Sequence, residues 1–292
     1  DRLEKCIRAV DIVFHLAAVV PLNATSESLR SINIDGTENV LKLAHRYNVK
    51  KVVFCSSSAV LGIPSSNPVS ENDDPAPFEP YGQSKLQAER KCWNYSEKGL
   101  DVTVIRPRTI LGPKRRGIIS LLFEWIKRNR SIPIPGGGNF QYQLIDSTDL
   151  ARAFILASEE SGSHCYHCGA EEFSTFEEEF SKLCEYADSN SKILWWPEKI
   201  TRFFLKSLSK SKLIPLKDYH TEMIGRIFYF DNTKLKKRLG WNARHSNLRI
   251  LKRSWDSFAK NETNNYASEF SHRSPANSKV LAFLGDWFFK DT

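Results

Sequence analysis

The chain is poor in methionine and cysteine and contains no long apolar run. One methionine, Met223, stands in 292 residues, and the first residue is Asp1. Six cysteines, at positions 6, 55, 92, 165, 168 and 184, are too few for a disulfide scaffold in a chain of this size, and most sit within apolar runs. A reducing, cytoplasmic compartment is the expectation. No apolar segment approaches the roughly 20 residues that span a bilayer, and no charged-then-apolar leader opens the chain, so stable membrane insertion is not expected. Glycine is scarce too: none of its 14 residues forms a G-x-x-G-x-x-G loop. Internal repeats are absent.

What is present suffices for a full core, with 41% hydrophobic and 12% aromatic residues in a length that suits one large domain or one domain with a smaller companion. The net charge of +8 favours anionic ligands such as nucleotides, although sign alone does not choose among them. Two basic segments stand out. "KITRFFLKSLSKSKL" spaces Ile200, Phe203, Phe204 and Leu208 to cover a core or a pocket, with membrane contact as the lesser reading. "GPKRRG" reads as a solvated loop, with capture of an anionic substrate group as the alternative. Neither carries interleaved base-stacking aromatics, so nucleic acid is rejected as the main partner.

The order of patterns points to an α/β fold. "DIVFHLAAVV" predicts a strand buried on both faces, Ser28 to about Tyr47 a helix, "KKVVFCSS" a second strand, and Gly62 to Pro80 a loop. A helix from Tyr81 to about Lys98, the strand "DVTVIRP" and a helix around Ile118 to Ile126 follow. Strands alternating with helices, without hairpin signals, argue for a doubly wound parallel sheet whose ligands sit at the carboxyl ends of its strands. Further on, "YQLID" reads as a short strand, with helices opening at Ser147 or Thr148 and at Ser174 or Thr175. The division expected is a nucleotide-binding domain over 1–113 plus about 139–158, an interleaved substrate-binding cap over 114–260, and a polar then apolar extension over 261–292.

Two Tyr–Lys pairs share the i, i+4 spacing, Tyr47 with Lys51 and Tyr81 with Lys85. Only the second follows a strand that ends in serines, "CSSSAVLG", and only it opens a helix. Ser58, Tyr81 and Lys85 can then converge at one crevice. A phenol titrates near 10, but a neighbouring ammonium favours the phenolate and makes it a usable proton relay. Ser58 would hold a substrate oxygen, Tyr81 would take or return its proton, and Lys85 would assist Tyr81 while gripping a ribose hydroxyl. Hydride transfer requires a nicotinamide, NAD or NADP, since no side chain performs it. "HCYHC" at 164–168 resembles half of a metal site, but no second Cys/His pair accompanies it and strand alternation splits its ligands, so no metal is expected.

The ordered set "DIVFHLAA", "SINIDGTENVLKLA", "VVFCSSSAVLG", "PYGQSKLQAE", "VTVIRPRTILGP", "YQLIDSTDLARA" and "FDNTKLKKRLGW" resembles the extended short-chain dehydrogenase/reductase superfamily, in its NAD-dependent epimerase/dehydratase group, over residues 1 to about 258. The resemblance implies a Rossmann-type NAD(P)-binding domain with Ser58, Tyr81 and Lys85 catalytic. It places Leu16, Ala17, Ala18, Asn33, Ser56, Tyr81, Lys85 and Pro107 at the cofactor, and Ser58, Arg108, Thr109 and Tyr142 at the substrate. A homodimer through the Tyr81 helix and the helix of 28–47 is also implied. Asp1 falls about where the third strand of such a domain ends, so roughly 60 residues and the phosphate loop are expected to be missing, with poor NAD(P) binding as the consequence. Related 4,6-dehydratases carry an acidic pair where this chain has Ala59 and Val60, which disfavours dehydration. Related epimerases carry Asn where Thr109 stands. The expected activity is epimerisation or oxidoreduction at a carbinol carbon, on a sugar nucleotide. The alternatives are a hydroxysteroid- or flavonol-type reductase of an apolar ketone and a non-catalytic nucleotide-binding protein.

Overall fold

The computed structural model describes residues 2–20, 24–115, 119–201, 203, 207 and 218–260. Phe204, Leu208, the last two residues of "GPKRRG" and the extension over 261–292 lie outside them. The chain forms two compact units. The first comprises 1–110, 147–171 and 229–244, and the second takes 111–146, 172–228 and the residues from 245 onward.

The first unit is built on a parallel sheet of β1 (Ile12–His15), β2 (Lys51–Cys55), β3 (Val102–Pro107) and a later strand, His164–Cys168. One row of the register runs Phe14, Val53, Thr103, His164. Between β1 and β2 the chain is helical, as a π-helical segment, Leu29–Asp35, that continues into the α-helix Gly36–Arg46. With α1 as Arg2–Ile7, that helix is α2. Helix α3 (Pro80–Ser96) joins β2 to β3. Val40, Leu41 and Ala44 of α2 and Ala88 and Cys92 of α3 form one core cluster with Val52, Phe54, Val102 and Val104 of the sheet. Apolar runs in β2 and β3 are thus buried as parallel strands require.

Two expectations change here. The strand β1 is not buried on both faces: Ile12 and Phe14, on one face of it, are exposed, and β1 is an edge among the described strands. His164–Cys168, expected in the cap, instead pairs with β3 from Thr103 to Pro107 and completes the sheet. The helix Thr233–Leu239 packs against this strand and also belongs to the first unit. Its C-terminus is closed by Gly240 in the left-handed region, and Trp241 is fully buried with Nε1 donating to the Asp149 carbonyl at 3.0 Å.

The second unit pairs the short strands Ile132–Pro135 and Ile193–Trp196 in parallel. Residues 139–146, expected in the sheet domain, group with this unit. Its helices Ile119–Lys127, Phe176–Tyr186 and Asn247–Ala259 bury Phe123, Ile126, Phe180, Leu183, Ile250 and Leu251, and Phe123 meets Trp255 edge-on at 5.7 Å. Thr175 is the residue that caps the middle helix, accepting from the Glu178 amide at 3.2 Å. Among the described residues no helix is long and apolar enough to cross a membrane.

Candidate active site

Helix α3 starts where it does because Pro80 suits the first helical position and Glu79 caps it, accepting from the Tyr81 and Gly82 amides at 2.8 and 2.6 Å. Tyr81, Lys85 and Glu89 then follow at i, i+4 and i+8 on one face. Opposite this start, the chain leaving β2 turns through a short 3₁₀ helix, Ser58–Leu61, capped by the Ser57 hydroxyl. The two turns approach so closely that a Cβ on Gly82 would lie 2.4 Å from the Ala59 carbonyl oxygen. Glycine at 82 is what lets the turn carrying Ser58 meet the turn carrying Tyr81.

The three serines ending β2 have three different employments. Ser56 is buried and donates its hydroxyl proton to Glu89. Ser57 caps the 3₁₀ helix. Ser58 is buried with its Oγ accepting a hydrogen bond of 2.9 Å from Arg108 Nη1.

Lys85 is 2% exposed. Its Nζ donates to the Cys55 carbonyl at 2.6 Å and lies 4.1 Å from the Phe54 ring centroid. Burial pulls its pKa below the ordinary lysine range, while Cys55, Cys92 and Glu89 act in the opposite direction. An ammonium has three N–H groups, and this is the one hydrogen bond Lys85 makes among the described residues, so donors remain for a hydroxyl-bearing ligand. His15 stands on the same Phe54 ring, at 5.5 Å, with Nε2 2.9 Å from Thr37 Oγ1. Burial first, and the Lys85 charge second, bring its pKa down to about 4. A neutral imidazole is therefore held beside the buried ammonium at pH 7.

Asn33, in the π-helical segment, has its Oδ1 accept from the Val19 amide at 2.8 Å, and its Nδ2 donates to Ser84 Oγ at 3.1 Å. It thereby ties the segment after β1 to α3 one turn beyond Tyr81. Leu16 and Ala17 are exposed, Ala18 is half-buried, and Pro107 is buried as the last residue of β3. Thr109 is half-buried in the strand Thr109–Leu111. Tyr142 belongs to the second unit, with its ring edge-on to Phe176 at 6.2 Å. Ser58, Tyr81, Lys85, Asn33, Pro107 and Arg108 all belong to the first.

Sequence reasoning missed the anchor beneath this arrangement. Glu89 receives two parallel hydrogen bonds from Arg106, Nε to Oε1 at 2.9 Å and Nη2 to Oε2 at 2.7 Å, and both residues are buried. The fork-to-fork pair fastens α3 to β3 one turn past Lys85, with the added bond from Ser56. A readable signal existed, because an arginine inside the apolar run "VTVIRP" demands a buried acidic partner, and Glu89 stands four residues from Lys85. Among the described residues no group of three or more His, Cys, Asp or Glu is arranged to hold a metal ion. In "HCYHC", His167 stacks on Phe230 at 4.0 Å with Nδ1 3.2 Å from the Val69 carbonyl, and burial pushes the Cys165 thiol up to about 12.

A parallel sheet with flanking helices and polar groups gathered at its carboxyl edge defines a Rossmann-type α/β protein. The chain belongs to the NAD dependent epimerase/dehydratase family, whose model matches residues 1–169. It is 37% identical over 286 residues to the uncharacterized protein y4nG of Sinorhizobium fredii, covering 97% of this chain and 72% of that protein. It is 34% identical over 143 residues to N-acetyl-alpha-D-glucosaminyl-diphospho-ditrans,octacis-undecaprenol 4-epimerase of Escherichia coli O157:H7, covering 48% of this chain and 43% of that enzyme. Among solved structures, the UDP-glucuronic acid 4-epimerase of Bacillus cereus in complex with NAD superposes with a TM-score of 0.72 at 21% identity, over 88% of this chain and 77% of that one. The chain thus spans less than half of the Escherichia coli enzyme's length.

Proposed function

We propose that the protein is an NAD-dependent epimerase acting at a carbinol carbon of a sugar nucleotide, with Ser58, Tyr81 and Lys85 as its proton relay. The observation that carries this reading is the meeting of the Ser58 turn with the Tyr81–Lys85 helix across Gly82. Family membership supports it, as do relatives whose names are 4-epimerases and a like-folded 4-epimerase crystallised with NAD.

The residues present fit the nicotinamide-ribose end of a dinucleotide. Lys85 keeps N–H donors for ribose hydroxyls, while the exposed Leu16 and Ala17 at the end of β1 and the buried Pro107 at the end of β3 offer apolar contact. When bound, the nicotinamide supplies hydride acceptance and return. The protein's own work is proton transfer and orientation. Ser58 hydrogen-bonds the reacting oxygen. The Tyr81 phenolate, favoured by the Lys85 charge, takes the hydroxyl proton and gives it back. Asn33 and the Glu89–Arg106 pair hold α3 so that Tyr81 and Lys85 keep their place. Ala59 and Val60, both buried and apolar, stand where related 4,6-dehydratases carry an acidic pair, which favours epimerisation over dehydration. A homodimer through α2 and α3 is part of the proposal, and light scattering reads it.

The test supplies the full-length protein with NAD and either UDP-glucose or UDP-glucuronic acid. The expected result is the C4 epimer without net accumulation of reduced cofactor. Steady consumption of NADPH on an apolar ketone, with sugar nucleotides untouched, would replace this reading by the reductase alternative.

A further inference from the structure

Arg108 is a buried guanidinium whose hydrogen bond to Ser58 spans 50 residues of sequence. Its backbone amide donates to the Cys168 carbonyl at 2.9 Å, which fixes its Cα at the carboxyl end of the sheet. Its guanidinium carbon lies 5.7 Å from the Phe230 ring centroid, and that ring stacks on His167 with planes 23° apart. His167 is fully buried and neutral near pH 7, since burial and the Arg106 charge bring its pKa down to about 3. The stack beneath Arg108 therefore does not change charge in the working range.

The consequence concerns the direction of one hydrogen bond. A serine hydroxyl has one proton to donate and two lone pairs that accept, whereas arginine only donates and stays protonated. With Arg108 Nη1 occupying a lone pair of Ser58 Oγ, the Ser58 proton is left to be donated elsewhere, and the adjacent cation makes that O–H a stronger donor. We propose that Arg108 is a positioning residue that acts through Ser58, setting its hydroxyl as a donor to the reacting oxygen of the substrate. This inference rests on the relay proposed above. It assigns Arg108 a role other than the direct substrate contact expected from sequence. A donor aimed at that oxygen strengthens its hold as the oxygen loses its proton and gains negative charge, so the effect falls on turnover and not on binding.

A double-mutant cycle in the full-length protein tests it, using wild type, Ser58→Ala, Arg108→Met and the double variant. The readouts are kcat and KM for C4 epimerisation of whichever of UDP-glucose and UDP-glucuronic acid the wild type turns over with NAD. Arg108→Met should lower kcat about tenfold or more with KM within about twofold, as expected for an interaction made in the transition state. In the Ser58→Ala background the same change should alter kcat by less than about twofold, because the group it acts through is gone. Arg108→Lys, which keeps the charge but not the fork, should recover part of the loss. Phe230→Leu should give a smaller loss with the same dependence on Ser58, and it serves if Arg108→Met does not fold.

Losses that multiply in the double variant would overturn the proposal, as would a rise in KM at constant kcat, which would make Arg108 a direct substrate ligand. A Ser58→Ala variant as active as wild type, or a wild type that turns over neither sugar nucleotide, would instead remove the relay reading itself.

Discussion

Two Tyr–Lys pairs of equal spacing stand in this chain, and their surroundings make them opposites. Tyr47 closes the C-terminus of α2 and donates its hydroxyl proton to Glu4, a bond that raises its pKa. Lys51, on β2, spends all three N–H groups on Asp101 Oδ1 at 2.6 Å and on the carbonyls of Glu160 and Gly162 at 2.7 and 2.9 Å. Lys85 is as deeply buried as Lys51 yet has one carbonyl and one aromatic face for company. A buried charge whose donors are all used is a rivet. One with donors to spare in a low-dielectric setting is held ready for something else, and it sits where burial costs stability.

The largest effect that separates the pairs comes from replacing each lysine by methionine. Lys51→Met should destabilise the fold by about 3 kcal/mol, because Asp101 Oδ1 and the Glu160 and Gly162 carbonyls lose their shared donor, and should leave the turnover of the surviving folded protein unchanged. Lys85→Met should lower turnover at least about 100-fold while changing stability by less than about 1 kcal/mol, since it removes a poorly compensated buried charge. Urea unfolding together with epimerisation kinetics reads both. Equal stability losses would erase the distinction.

The next effect belongs to His15, beside Lys85. Its folded pKa of about 4 lies below the unfolded value of about 6.5, so its contribution is complete above pH 6.5 and is lost as pH falls from there toward 4. Over that window the loss approaches 3 kcal/mol at about 1.4 kcal/mol per unit, and His15→Gln should flatten that part of the stability profile. An unchanged profile in the variant would show that the imidazole is not buried neutral beside the ammonium.

Gly82 gives a smaller effect on stability. Gly82→Ala must move the Ala59 carbonyl or α3, at about 1–3 kcal/mol, and should lower kcat more than that loss alone explains, because Ser58 and Tyr81 would separate. Kinetics at a temperature where the variant stays folded checks this.

The comparison also shows what can be read from sequence. Strands β2 and β3 are legible because burial on both faces leaves mostly apolar runs, "VVFC" and "VTVI", and α3 because Glu79 and Pro80 announce its start. The two histidines of His164–Cys168 hide its strand pattern, although Tyr166, His167 and Cys168 are fully buried in the sheet. The pairing of β1 on one side only leaves no trace in "DIVFH", whose apolar residues suit either setting. Of the candidate site, the serine-bearing turn after β2 and the helix carrying Tyr81 and Lys85 are legible from order and spacing. The bonds that hold them are not, since Glu89 with Arg106 and Ser58 with Arg108 join residues 17 and 50 apart that only the folded sheet brings together.

The central claim is that Tyr81, and not its twin in spacing, transfers the proton. The direct measurement is kcat for sugar-nucleotide epimerisation by Tyr81→Phe and Tyr47→Phe in the full-length protein, each variant verified as folded. The account predicts a loss of about 100- to 10,000-fold for Tyr81→Phe and a rate within about twofold of wild type for Tyr47→Phe. A Tyr81→Phe variant that turns over at the wild-type rate would contradict it.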